Sequence, residues 1–339
     1  MTYEITIGIP IYNKEKYIAL TLETALAQTY QSIEFLVLDD RGTDGSMDIV
    51  REYQQTHPRG KDIRIVSQPH NMGIGEARNR ILEEARGKYL FFLDADDTIT
   101  SDTIEILVNA AKEYDAQVVM ASYDKIDYVD DTIKKNRYQL PSMVFQEENA
   151  FAIYAFHKYG ALQANIWNVL MDLSLIRESG IRFVDTDFWE DMVFKYELVQ
   201  YVTRAVLLPA VTYHYRCLEN SLSNRQNGNE ISKERIYRNV ATVDVMKQRW
   251  ESVLEKPYFS NWLNFVIRTD YYIVCYTLKN EQRIIPSISN SDLRNFLYSP
   301  LSLYDTLRYG SLQSLFYKIL YLLPSPISIG FIKILQYIL

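Results

Sequence analysis

The chain has 339 residues, 47% hydrophobic and 23% charged, with only 12 Gly and 10 Pro, which excludes a disordered, collagen-like or linker-like protein. Its net charge of −7 argues against a broad nucleic-acid interface, which needs a basic face. Cys217 and Cys275 are too few for a disulfide framework or a Cys-rich metal site and fit a reducing compartment. The length suggests about two domains. The first residues lack a basic segment ahead of an apolar run that breaks at Pro10, so no signal peptide is expected. No uncharged apolar run reaches the roughly 20 residues that cross a bilayer; the nearest, Ile319 to Ile332, is short and contains Pro324 and Pro326. Tyrosine is abundant, 27 against 14 Phe, a ring suited to wet interfaces.

In chain order, Glu4 to Ile9 alternates β-branched residues and predicts a strand stopped by Pro10. Lys14 to Gln28 has helical spacing at Ile18, Leu22, Ala25 and Leu26. Ile33 to Leu38 reads as a strand ending in Asp39-Asp40, and Asp44 as the cap of a helix facing inward with Met47, Val50 and Tyr53. Ile63 to Val66 is a third strand and Gly73 to Ala85 a third helix. Tyr89 to Leu93 is a buried strand ending in Asp94-Ala95-Asp96-Asp97. A helix over Asp102 to Tyr114 leads to a strand over Val118 to Ala121. This βαβα alternation predicts a doubly wound, mostly parallel α/β sheet, with ligands bound beyond the strands' carboxyl ends. Tyr123 to Leu140 reads as charged edge strands, Glu147 to His157 as helix, and Trp167 to Glu190 as a short helix with a loop. Glu190 to Tyr201 predicts a helix with Met192, Val193, Tyr196 and Val199 inward, and Val211 to Arg216 a last strand. From about Asn227 the pattern is helical throughout. The expected division is 1–225 and 226–339.

Two carboxylates separated by one residue at a strand end suit Mg²⁺ or Mn²⁺, which takes one or two protein carboxylates and completes its shell with phosphate and water. The bland alternative is a solvated turn with Asp97 capping the next helix. A series of motifs in order raises the chemical reading. Ile7 to Glu15, Val37 to Ser46, Asn71 to Asn79 and Phe91 to Asp97 together resemble the family 2 glycosyltransferases, inverting enzymes with a GT-A fold. Trp167 to Leu170 and Phe188 to Asp191 resemble that family's acceptor-side motifs, and His214 to Arg216 with Asn220 to Ser223 its late donor-side loop. Arg41 stands where the family usually has Gly, and Val169 where it usually has Lys.

The resemblance implies a nucleotide-sugar donor, with UDP the expected nucleotide, a divalent cofactor (Mn²⁺ or Mg²⁺), and a glycan or lipid-linked acceptor. Pro10, Tyr12 and Asn13 form the first donor turn. Tyr12 is either a ring stacked on the base or a core tyrosine. Asp39 or Asp40 accepts the uracil imino proton, and Asn71 and Arg78 lie over the nucleotide. Asp94 meets ribose or metal, and Asp96 ligates the metal. His214, Arg216 and Ser221 or Ser223 bind the diphosphate. Asp191 is the general base, with Trp167, Trp189 and Glu190 on the acceptor side. For the acidic pair the plain alternative is a helix N-terminus, and for the Trp residues the core. A non-catalytic nucleotide-sugar or carbohydrate module on this fold is the competing class; it predicts loss of Asp96 or Asp191, and both are present. A nucleotidyltransferase is disfavoured because Pro10-Ile11-Tyr12-Asn13 lacks glycine. The family context suggests surface polysaccharide synthesis in the cytoplasm, with no nucleic-acid partner and with homo-oligomerisation open. The tail from about Leu301 carries Leu312, Leu315, Phe316, Ile319, Leu320 and Leu323 on one helical face and Ile327, Phe331, Ile334, Leu335 and Ile338 on another. Those faces either pack on the protein or lie peripherally on the inner face of the membrane.

Overall fold

The computed structural model describes residues 3–129, 132–157, 162–186, 189–217 and 230–335. Two compact units emerge: Met1–Phe151, Ala164–Asp185 and Phe194–Asn224 form the first, and Ala152–Gln163, Thr186–Val193 and Arg225–Leu339 the second.

The first unit is built on β1 (Ile5–Ile11), α1 (Ile18–Leu26), β2 (Ile33–Asp39), α2 (Ser46–Thr56), β3 (Ile63–Ser67), α3 (Gly73–Glu84), β4 (Tyr89–Phe92), β5 (Thr98–Ile99) and α4 (Thr103–Glu113). It continues through β6 (Val118–Val129), β7 (Thr132–Tyr138), β8 (Met143–Phe145), α5 (Ala150–His157), β9 (Val169–Asp172), α6 (Leu173–Ser179), α7 (Glu190–Leu198) and β10 (Ala205–Cys217). Helices α5 and α7 run on across the boundaries between the units. The sheet order is β3-β2-β1-β4-β9-β6-β10-β5, with β7 on β6 and β8 on β10. Strands β1 to β4, β6 and β10 run one way, as the helical crossovers between them require. Strand β9 enters antiparallel between β4 and β6. Every residue of β1 and β2 is buried, as befits strands covered by helices on both faces.

Several local expectations change. Strand β1 continues through Pro10, which pairs with Leu38, to Ile11. Its partner β4 stops at Gly8–Phe92, so Pro10 sits where that flank no longer needs an N–H. Gly45, rather than Asp44, occupies the cap position of α2; the Asp44 carboxylate instead accepts the Glu15 N–H at 2.9 Å and the Ser46 N–H at 3.1 Å. Strands β5, β8 and β9 have only two to four residues, too short to show a period.

The second unit carries β11 (Ile231–Ser232), α8 (Lys233–Lys247), α9 (Trp250–Val253), α10 (Phe259–Lys279), β12 (Ile284–Ile285), α11 (Asn290–Phe296), α12 (Leu303–Tyr309), α13 (Leu312–Leu322) and α14 (Ser325–Leu335). Helix α10 is the spine: Trp262, Leu263, Val266, Ile273 and Val274 are buried where it meets α8, α11 and α13. Also buried in it is Asp270, 2.8 Å from the Lys247 ammonium. No helix among the described residues is long and apolar enough to cross a membrane.

The last helices divide the named apolar faces between interior and solvent. In α13 the inward residues are Ser314, Tyr317, Lys318 and Leu320, while Leu312 is 87% exposed and Ile319 and Leu322 also face out. Lys318 is drawn inward because its Nζ donates to the carbonyls of Ser299 (3.2 Å) and Leu301 (2.5 Å). Ser314 is drawn in by its reciprocal cap with Ser311. In α14, Ser328, Ile329 and Ile332 turn inward and Ile327, Phe331 and Ile334 outward. Leu303, Tyr304 and Leu307 of α12 are exposed as well. Ile338 lies outside the described residues.

Candidate active site

The polar residues of the first unit gather where β1, β2 and β4 end. After β1, Tyr12 is 44% exposed, which removes the core alternative for its ring. Asn13 adopts a left-handed φ of 52° and its Oδ1 accepts the Thr43 N–H at 2.7 Å. Gly42 is needed beside it, because a Cβ there would lie 2.7 Å from Asn13 Oδ1. Pro10 is buried in the strand and supplies shape rather than a polar contact.

After β2, both aspartates are buried and both are engaged. Asp39 accepts the Arg41 N–H at 2.9 Å and the Ser67 hydroxyl at 3.1 Å. Asp40 accepts the Met72 and Gly73 N–H groups at 2.9 and 3.2 Å, at the start of α3. Burial raises its pKa, and those two amides oppose the rise. Asn71 Oδ1 also accepts from Gly73 N–H, at 3.2 Å, so Asp40 and Asn71 meet at one helix end. Arg41, where the resemblance expects Gly, has a φ of 59°, the left-handed region glycine favours. It turns back: its Nε donates to the Gln68 carbonyl at 2.6 Å and its guanidinium lies 3.6 Å from Asp39.

The end of β4 is the most connected part. Arg78, on the buried side of α3, donates to Asp94 at 3.1 Å rather than pairing with Glu76 or Glu84, and lies over the Phe183 ring at 5.6 Å. Asp96 is paired with the Lys14 ammonium. Asp97 does not cap α4; it is buried, accepting the Tyr213 hydroxyl at 2.7 Å and the Arg216 N–H at 2.7 Å. Tyr213 Oη also accepts the Asp94 N–H at 3.3 Å. Burial, then Asp96 and Asp94, push the Asp97 carboxyl well above its ordinary pKa. The Arg216 guanidinium donates to the Asp96 carbonyl at 3.4 Å and lies 5.6 Å from the Tyr17 ring.

Some expected residues are placed elsewhere. Trp167 is 7% exposed, stacked on Tyr213 and Tyr215 with centroids at 4.5 and 5.2 Å and edge-on to Tyr123. Its faces are taken, so it supports Tyr213 instead of offering a platform for a sugar. His214 alternates with Tyr213 along β10 and so points to the other face of the sheet. The charges acting on it are Lys135 and Asp124, and burial followed by Lys135 lowers its pKa. Ser221, Ser223 and Phe188 lie outside the described residues.

Trp189, Glu190 and Asp191 belong to the second unit. Trp189 has a φ of 69°, strained for a bulky side chain, and its carbonyl accepts the Val193 N–H at 3.1 Å to start α7. Its ring lies 6.0 Å from that of Tyr272, beside a cleft also lined by Arg235, Asn239 and Tyr276. Glu190 is buried, whereas Asp191 is half-buried and accepts the Met192 N–H at 2.7 Å. Lys14, Asp97 and Tyr213 were not singled out from sequence. Lys14 and Asp97 lie within the segments Ile7 to Glu15 and Phe91 to Asp97, and Tyr213 immediately precedes His214-Tyr215-Arg216.

Paired carboxylates and basic side chains thus gather beyond the carboxyl ends of the parallel strands, where open α/β sheets bind ligands. Residues 6–173 match the model of Glycosyl transferase family 2, and the chain belongs to that family through this segment. It is 35% identical over 130 residues to Glycosyltransferase GlyG of Streptococcus pneumoniae serotype 4, a match covering 38% of this chain and 42% of that relative. The chain therefore spans under half of that relative's length. It is 25% identical over 292 residues to a Cholesterol galactosyltransferase of Borreliella burgdorferi, covering 82% of this chain and 78% of the other. In fold it is similar to S. aureus TarS 1-349 in complex with UDP-GlcNAc, with a TM-score of 0.56 and 16% identity over 94% of this chain and 90% of the other. Mannosyltransferase PcManGT from Pyrobaculum calidifontis, in complex with GDP-Man and Mn²⁺, shares the fold at a TM-score of 0.50 and 16% identity, covering 94% and 86%.

Proposed function

We propose that the protein is an inverting, metal-dependent glycosyltransferase that moves a sugar from a nucleotide-sugar, with UDP as the expected nucleotide, to a glycan or lipid-linked acceptor. The observation that carries this reading is the meeting of Asp94, Asp96, Lys14, Arg78 and Arg216 at the end of β4. Asp94 and Asp96 fit a hard divalent ion. Phosphate oxygens and water would complete the shell around these two carboxylates. Asp94 and Asp96 would hold Mg²⁺ or Mn²⁺, which would supply stabilisation of negative charge on the departing nucleotide. Tyr12 stacks on the base, and Asp39 or Asp40 accepts its imino proton. Asn71 and Arg78 lie over the nucleotide, with Arg216 at the diphosphate. His214 lies two residues before Arg216 on the same strand face, between the diphosphate end and Asp124.

Inversion requires one carboxylate to take the acceptor hydroxyl's proton as the new bond forms. Asp191 fills that role better than Glu190, which is buried. Trp189 supplies an aromatic face for the acceptor, with Glu190 behind it. A screen of nucleotide-sugars with Mn²⁺ or Mg²⁺, reading nucleotide release, tests the whole proposal. Binding of donor with no release, with or without acceptor extracts, favours the non-catalytic module.

The outward apolar face of α12 to α14 favours an acceptor presented at a lipid surface. Exposed Leu312, Ile319, Phe331 and Ile334 suit shallow insertion among headgroups, and a relative of similar extent is named for transfer to cholesterol. Intact protein is expected to sediment with anionic liposomes. Failure to sediment, together with concentration-dependent dimerisation, assigns that face to a second copy instead.

A further inference from the structure

Two carboxylates at the end of β4 are each held by a cation, and the two cations differ in kind. Arg78 is 5% exposed, and its planar guanidinium is packed over Phe183. Lys14 is anchored only through its backbone. Its N–H donates to Ser46 Oγ at 2.7 Å, and its carbonyl accepts the Tyr17 and Ile18 N–H groups at 2.9 Å. From that fixed point a flexible four-carbon stem reaches Asp96, and the side chain remains 28% exposed. A guanidinium fork holds one geometry, whereas an ammonium is a point charge that can change partners.

A partly buried carboxylate needs a counter-charge, and Lys14 supplies it to Asp96 in the protein without ligands. A divalent ion on Asp96 would repel that ammonium at close range. The donor diphosphate brings new oxygen acceptors to the same strand end. We propose that Lys14 is an exchangeable cation: it neutralises Asp96 until the divalent ion arrives, and then transfers to the donor diphosphate. Resting on the nucleotide-sugar reading, this adds a residue that couples metal binding to donor binding. Lys14 opposes the metal when no nucleotide is present and supports the nucleotide once the metal has displaced it from Asp96. The coupling must be reciprocal, since it is a property of the binding equilibria.

The test compares wild type, Lys14→Met and Lys14→Arg. Mn²⁺ binding without nucleotide is followed by electron paramagnetic resonance, and UDP binding at saturating Mn²⁺ by calorimetry. Lys14→Met is expected to bind Mn²⁺ roughly tenfold more tightly and UDP at saturating Mn²⁺ roughly tenfold more weakly, the scale of one charged hydrogen bond. Lys14→Arg, which keeps the charge, should leave Mn²⁺ binding near wild type. Because Asp96 loses its counter-charge, Lys14→Met should also show a larger rise in Tm on Mn²⁺ addition. Unchanged or weaker Mn²⁺ binding in Lys14→Met overturns the proposal, as does tightening in Lys14→Arg equal to that in Lys14→Met. Tighter Mn²⁺ with no UDP binding in any variant leaves the exchange at Asp96 standing and refutes the uridine donor, so the two ideas fail separately.

Discussion

The ends of the parallel strands and the last three helices handle polarity in opposite ways. At the strand ends, Asp39, Asp40, Asp97 and Arg78 are buried, and each is held by partners from distant segments. In α12 to α14, the apolar Leu312, Ile319 and Ile334 are exposed while Lys318 and Ser314 are buried. Burial follows hydrogen bonding as much as hydrophobicity, because a buried polar group with partners is tolerated and one without them is costly. At the strand ends the buried polar groups surround a place for ligand chemistry. In the tail they close a loop, and the apolar residues are left for an outside surface.

The comparison is broken most forcefully at Asp191. Asp191→Asn keeps the size and removes the basicity, so transfer should fall by about 10² to 10⁴ while donor binding survives. Single-turnover transfer beside donor titration measures both. If Glu190→Gln abolishes transfer and Asp191→Asn does not, the base is Glu190.

A buried ion pair in the helical unit gives the next effect. Burial pushes the Asp270 carboxyl up to about 8 even with the Lys247 ammonium 2.8 Å away. Lys247→Met removes that cation and should destabilise the protein by about 3–5 kcal/mol at alkaline pH, where Asp270 is ionised, read by denaturant unfolding. The sign with pH follows from proton binding. Folded Asp270 keeps a proton that the unfolded chain releases near pH ~4, so its contribution falls as pH rises from there through the folded pKa. The variant's deficit should therefore be smaller at low pH than at alkaline pH; a deficit independent of pH would remove Asp270 from the account.

Tyr213→Phe tests the strand-end side. It deletes the hydroxyl shared by Asp97 and the Asp94 N–H, and should cost about 1–3 kcal/mol. It should also loosen UDP binding through displacement of Asp94, without altering Trp167 packing. A stable variant with normal UDP affinity would show that Asp97 positions nothing. The smallest effect is expected on the outward face: Ile319→Ser with Leu322→Ser should change stability by no more than about 0.5 kcal/mol per site. Liposome sedimentation should nevertheless fall. A large loss of stability would mean that those side chains are packed after all.

Sequence reading served best where two independent rules agree. Ile18, Leu22, Ala25 and Leu26 recur at helical spacing and are all buried in α1, and the βαβα order dictates a parallel sheet. The strand-end aspartates were readable because ligands bind beyond the carboxyl ends of such strands. The roles of Lys14 and Asp97 are not legible in the sequence, because their partners, Asp96 and Tyr213, are 82 and 116 positions away in the chain. Trp167 reads equally as core or platform until its stacking on Tyr213 and Tyr215 is seen. Helical periodicity alone could not orient α13, since a lysine that finds two carbonyls outweighs the preference of an isoleucine for the interior.

The central claim is that Asp96 supports metal-dependent cleavage of a nucleotide-sugar. Its most direct test is nucleotide release from a panel of such donors by wild type and Asp96→Asn, each with Mn²⁺ and with chelator. The account predicts release by wild type with Mn²⁺ from a uridine donor, and loss by about 10² or more both in chelator and in the folded Asp96→Asn variant, a scale typical of removing a group that stabilises charge at the transition state. Equal release by Asp96→Asn, or by wild type in chelator, would contradict it.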